Sequence, residues 1–221
     1  MPRNMRVTVR AALIKRQLSN ENSSVELNDP HFKINIVKKK GAKFIVNGKL
    51  ILASHYGVTN PATIFLDENA TFQIDGDFGI GNGVLIRVDK NGLLKFGGTD
   101  VEVGSGITCN STIYVNKKVE IGKDFSCAWN VFISDCDWHY IEYDGVPSKI
   151  QSDVLIGNHV WIAHDCSILK GTKIGNGSIV GSHSLLGGKT YPENSLIAGT
   201  PAKVIKNNCS WKGVLSKVQT Q

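Results

Sequence analysis

Aliphatic residues return at every sixth position along one stretch of the chain: Ile156, Ile162, Ile168, Ile174, Val180 and Leu186. The residues directly after them are Gly157, Ala163, Leu169, Gly175, Gly181 and Gly187, so small side chains dominate the next position. A helix face needs a period of 3.6 and a single strand a period of 2, and six satisfies neither. It suits a short strand followed by a bend, repeated, with one aliphatic side chain per unit pointing inward. The pattern therefore predicts a β-solenoid, in which each turn pairs its backbone with the turns above and below. Weaker traces lie upstream. Ile74, Ile80 and Ile86 step by six, and a second ladder runs through Val103, Cys109, Val115, Ile121, Cys127 and Ile133. The ladder then breaks until Ile156. The intervening segment, about 134–153, is polar, aromatic and punctuated by Pro and Gly, and is expected to leave the coil as an extruded loop.

Outside the ladder the pattern changes. Residues 5–18 suit a short amphipathic helix, and positions 20–29 a polar connector. The segments KINIV, KFIV and KLILA read as strands from Phe32 onward. The expected organisation is an N-terminal extension over 1–30, a solenoid domain over 31–204, and a tail over 205–221 that covers the last coil.

Composition sharpens this picture in three places. The 23 glycines among 221 residues match a fold built on tight bends. The net charge of +6 gathers toward both ends, without the aromatic–basic interleaving of an RNA binder, so no nucleic-acid partner is expected. Five cysteines, an odd number with no CxxC pair, fit a reducing compartment. No signal-type apolar region or long apolar run is found, so a cytoplasmic protein without membrane insertion is expected.

The run IGNHVWIAHDCSILKGTKIGNGSIVGS, followed by PENSLIAGTPAKVIK, resembles the hexapeptide-repeat acyltransferases, in particular the maltose, galactoside and capsular-sugar O-acetyltransferases. The specific likeness covers roughly 119–206. It implies an all-β, left-handed parallel β-helix with three hexapeptides per triangular coil, assembled as a homotrimer. The left hand rests on the resemblance alone, since crossover connections in general are right-handed. It further implies acetyl-CoA as cosubstrate, with no metal, and a sugar or polysaccharide hydroxyl as acceptor, as in a bacterial capsule or lipopolysaccharide.

Candidate site residues follow from the same resemblance. Transfer to a hydroxyl needs a base near neutral pH, and His139 lies in the loop that breaks the ladder, four residues after Asp135 in the family's D-x-x-x-H pattern. Asp135 or Asp137 is a candidate to orient the imidazole, or to cap a turn instead. Trp161 matches the family's VWIG element and is expected to point outward, either walling the thioester channel or packing between subunits. His164 follows it, and Ser182, 18 residues on, would stack one coil away. Backbone groups around Ala163 and Gly181 are expected to meet the pantetheine arm. Lys189, Lys203 and Lys206 are expected to face the coenzyme phosphates, with Gly199 and Thr200 forming the bend of the AGTPAK signature.

Three other readings compete. His159, His164 and His183 invite comparison with the zinc site of β-helical γ-carbonic anhydrases, although their phases on the ladder differ from that pattern. A non-catalytic binding solenoid needs neither the His139 loop nor the AGTPAK tail. Transfer to an amino sugar is the third, against which residues 1–60 carry no GxGxxG.

Overall fold

Every strand between Ser24 and Gly199 that belongs to the coil pairs in parallel with the strand one coil before or after it, and a computed structural model shows the result as a left-handed parallel β-helix. The structure describes residues 3–21, 23–99 and 104–213, so Val103 of the second ladder lies outside the described residues. The chain visits three sheets in turn, and these form the sides of a triangular prism. Among the described residues the first sheet has nine strands and the second and third have seven each.

Inward columns hold the coils in register. On the first sheet Ile80, Ile107, Cys127, Ile162, Val180 and Ile197 are successive partners. On the second the column is Ile64, Ile86, Ile113, Ile133, Ile168 and Leu186. On the third it is Ile74, Phe96, Ile121, Ile156, Ile174 and Tyr191. All of these side chains are buried. The early coils are filled with larger residues: Phe96 packs within 4.4 Å of Phe78, 5.9 Å of Phe72 and 6.0 Å of Phe125, measured between ring centroids.

The sixfold count from sequence slips in one coil. It stacks Cys109 on Cys127 and Val115 on Ile133, whereas the partners are Ile107 with Cys127 and Ile113 with Ile133. That coil is two residues longer than the 18-residue step from Ile162 to Val180. A slip of two preserves which side chains face inward, because strand side chains alternate with period 2, so Cys109 and Val115 are still buried.

The two ends are closed differently. A helix, Arg3–Lys15, packs on the Ser24–Leu27 strand with Val7, Ala11 and Ile14 toward the core, the spacing of one helical face, and Leu18 in the turn after it joins them. The coil thus starts at Ser24–Leu27, before position 31. Arg10 donates to the carbonyls of Pro30 and Phe32, pinning the helix across that end. At the other end Ala202–Lys206 turns back antiparallel along Leu196–Gly199, and Tyr191 donates its hydroxyl to the Ala202 carbonyl. No helix among the described residues is long and apolar enough to cross a membrane.

One segment leaves the prism. After Phe132–Ser134 the chain forms an antiparallel bridge between Cys136 and Gln151, then a short hairpin of Glu142–Tyr143 with Val146–Pro147. Trp138, Tyr140, Ile141, Tyr143 and Val146 on this arm are exposed.

Phe96 touches three rings, Phe72, Phe78 and Phe125, and is fully buried. Phe96→Ala is expected to cost about 3–5 kcal/mol, read as a lower midpoint in chemical denaturation.

Candidate active site

The outer face of the first sheet carries a groove that runs along the solenoid axis. Its volume is about 590 Å³, and its floor is built from Thr108, Ser126, Ala128, Ala163 and Gly181. Pairing of Ser126 with Trp161 and of Cys127 with Ile162 places Ala128 next to Ala163 in the adjacent coil. Small residues at one position in successive coils leave a channel where larger side chains would fill it. Trp161, half-exposed, stands on one side with Ile179 and Leu196. Trp129, His164 and Tyr56 stand on the other, at the corner between the first and second sheets.

This corner is a ladder of rings. His164 lies flat over Trp129, with centroids 5.0 Å apart and planes 3° from parallel. Tyr56 meets the indole edgewise at 5.3 Å. His164 Nδ1 contacts Asp165 Oδ2 at 2.7 Å, and Asn130 donates to the other carboxylate oxygen at 3.1 Å. The hydrogen bond to His164, with that to Asn130, holds the Asp165 carboxyl below the usual carboxylate range. The C-terminal segment crosses the other side of the groove. Trp211 stacks on His159 at 4.2 Å, its Nε1 donates to the His159 carbonyl at 2.9 Å, and His159 Nε2 lies 3.1 Å from the Trp211 carbonyl.

Four candidate coenzyme residues and one candidate catalytic residue meet in this groove: Ala163, His164, Gly181 and Ser182, with Trp161. Lys203 and Lys206 are exposed on the strand that borders Leu196–Gly199, and Gly199 and Thr200 form the bend between the two strands. His139 is not with them. It is exposed on the arm that leaves the prism between the second and third sheets, the corner opposite the first sheet. Lys189 stands at that same corner, between Leu185–Leu186 of the second sheet and Thr190–Tyr191 of the third. Within one chain the expected site is therefore divided in two.

The Asp135 assignment is corrected by the geometry. Its carboxylate is fully buried and accepts the backbone N–H groups of Asn116, Lys117 and Lys118 at 2.7, 2.8 and 2.6 Å. Those three donors sit at a corner whose backbone would otherwise be unsatisfied, so Asp135 clamps one coil to the next and does not orient a histidine. Asp137 is paired as well, with Lys170 Nζ at 2.7 Å, and Lys170 also donates to the Lys149 carbonyl. The two carboxylates brace the base of the arm.

A family model described as bacterial transferase hexapeptide (six repeats) matches residues 153–188, the strongest part of the ladder. The chain is 32% identical over 161 residues to the putative lipopolysaccharide biosynthesis O-acetyl transferase WbbJ of Escherichia coli, covering 67% of this chain and 74% of that one. It is 35% identical over 147 residues to the polysialic acid O-acetyltransferase of Neisseria meningitidis, covering 57% and 68%. The solved structure of the polysialic acid O-acetyltransferase OatWY matches with a TM-score of 0.59 at 27% identity, over 90% of this chain and 95% of that one. The chain belongs to the hexapeptide-repeat acetyltransferases. It is an acyltransferase.

Among the lining residues of this acetyltransferase that the sequence did not single out are three aromatic ones: Tyr56, Trp129 and Trp211. Trp129 pairs in register with Cys109 on one side and falls beside His164 on the other. The inserted arm lies between Trp129 and His164 in sequence, so a sixfold count loses the relation. Pairing the small residues on either side of the arm, Ser126-Cys127-Ala128 against Trp161-Ile162-Ala163, would have found it. Trp211 and Tyr56 reach the groove from irregular segments, and no periodic signal marks them.

Asp135→Ala is expected to lower stability by about 3–5 kcal/mol, because three backbone N–H groups lose a buried charged acceptor. Denaturation curves would register that loss, while coenzyme affinity measured on the folded fraction stays near that of the parent chain.

Proposed function

We propose that this acetyltransferase moves an acetyl group from acetyl-CoA to a sugar hydroxyl of a bacterial surface polysaccharide, such as a capsule or lipopolysaccharide glycan. The observation that carries the reading is the groove with a small-residue floor beside Trp161. A flexible amide-containing arm laid along its axis would pass the backbone groups near Ala163 and Gly181, which the small side chains leave open to the pantetheine amides. Lys203 and Lys206, exposed on the neighbouring strand, supply positive charge for the phosphates. The relatives named for lipopolysaccharide and polysialic acid support a glycan acceptor.

His139 is the general base of this proposal. The imidazole takes the proton of the acceptor hydroxyl as its oxygen attacks the thioester carbonyl. The tetrahedral intermediate collapses, the carbon–sulfur bond breaks, and the departing thiolate recovers the proton. Position, not an acyl-enzyme, supplies the acceleration. Because His139 and Lys189 stand at the corner opposite the groove, they serve the groove of a neighbouring copy. This supports a homotrimer in which each site lies between two prisms, with the corner of one against the first sheet of the next. A cytoplasmic location fits a nucleotide-activated acetyl donor and five cysteines without a disulfide.

His139→Ala is expected to lower kcat by about 10²–10⁴-fold with acetyl-CoA affinity nearly unchanged, since the imidazole acts on the acceptor proton. Turnover on a glycan acceptor close to that of the parent enzyme would remove His139 from the chemistry.

A further inference from the structure

Two imidazoles and a carboxylate converge on the rim of the groove: one donor atom each from His164, Asp165 and His183 lies within 4.8 Å of the other two. His183 stands edge-to-face with His164, at 5.3 Å and 89°. We propose that these three residues form a binding site for a divalent transition-metal ion of the zinc or nickel class. The site goes beyond the acetyl-transfer reading and does not depend on it.

The donor set decides the class of ion. Two imidazoles with one carboxylate are borderline donors, suited to zinc, nickel or cobalt and poorly suited to magnesium or calcium, which take oxygen. The carboxylate of Asp165 adds a negative charge that favours a cation over an anion. The 2.7 Å approach of His164 Nδ1 to Asp165 Oδ2 marks where a cation would enter, between two donor atoms that already face each other.

The support around the donors is already in place. Trp129 forms a flat shelf under His164 that fixes the ring plane. Asn130 holds the Asp165 carboxylate from the side away from His164. Outer contacts of this kind orient ligands before the ion arrives. The backbone at His183 adds an independent observation. Asp165 and His183 occupy the left-handed region, with φ of 58° and 59°. At the matching bend of earlier coils that conformation is taken by Asn110 and Asn130, with φ of 49° and 57°, and by Gly83. Glycine and asparagine adopt it most readily, and histidine is one of the few other side chains found there with any frequency. The bend places the His183 side chain beside His164, and it is exposed, which leaves an entry path.

The third member of the site is Asp165, not His159. The His159 ring is held against Trp211 by stacking and by its contact with the Trp211 carbonyl, away from the corner.

The test is calorimetric titration of the full chain, stripped with chelator, with ZnCl₂ and separately with NiCl₂, and with cobalt(II) absorption as a second readout. One equivalent is expected to bind. His183→Asn retains a residue that tolerates the left-handed bend, so the fold is kept while a ligand is lost. This variant and Asp165→Asn are each expected to weaken binding at least about tenfold. His139→Ala is expected to leave metal affinity unchanged whatever it does to turnover, which separates this proposal from the acetyl-transfer reading. Absence of saturable binding would overturn the site. So would an affinity that survives both His183→Asn and Asp165→Asn.

Discussion

Hydrogen bonds between the backbones of successive coils are the constraint on which the rest of this protein depends. Each short strand satisfies its N–H and C=O groups on the coil before and the coil after, so a strand of only two residues, such as Trp161–Ile162, is stable in the stack though it would not be stable alone. Once that pairing is fixed, every position acquires a vertical neighbour. Inward positions become the aliphatic columns of the core. Outward positions become columns too, and the candidate groove is one of these, with Ala128 and Ala163 in line. The same alignment turns the corner position of consecutive coils into the stack of Trp129 and His164.

A triangular coil also separates what the chemistry has to combine. The chain passes each corner once per coil, and a face and its opposite corner are divided by the full thickness of the core. His139 and Lys189 occupy one such corner, and the groove lies on the opposite face. A solenoid cannot fold its own corner onto its own face, which is why the proposed mechanism draws the two parts of the site from neighbouring copies. The buried carboxylate of Asp135 belongs to this arrangement. By binding three backbone N–H groups at the foot of the arm, it sets where the arm departs, and so where His139 is presented.

Much of this was legible in the sequence. The step of six from Ile156 to Leu186 marks a solenoid of short strands and bends, the resemblance implies three of them per coil, and the break before Ile156 marks the arm. The resemblance carried by HVWIA and AGTPAK selected the residues near the groove, of which Trp161, Ala163, His164, Gly181 and Ser182 line it. What sequence could not supply was register wherever coil length varies. Cys109 and Val115 sit two residues from their expected partners for that reason. Trp129 was hidden because the arm intervenes before its neighbour. The role expected of Asp135 failed on a different ground: spacing in a loop says that Asp135 and His139 are near, whereas the unpaired backbone of the preceding coil decides which way the carboxylate turns.

The central claim is that one copy supplies His139 and another supplies the groove. It is tested most directly by mixing two inactive variants. His139→Ala leaves the groove intact, and Gly181→Trp fills the groove while leaving the arm intact. After unfolding and refolding together, mixed assemblies contain some sites with a normal arm against a normal groove. The account predicts that acetyl transfer returns in the mixture and not in either variant refolded alone. A mixture that forms mixed oligomers, verified by differential tagging, yet stays as inactive as its parents would contradict it.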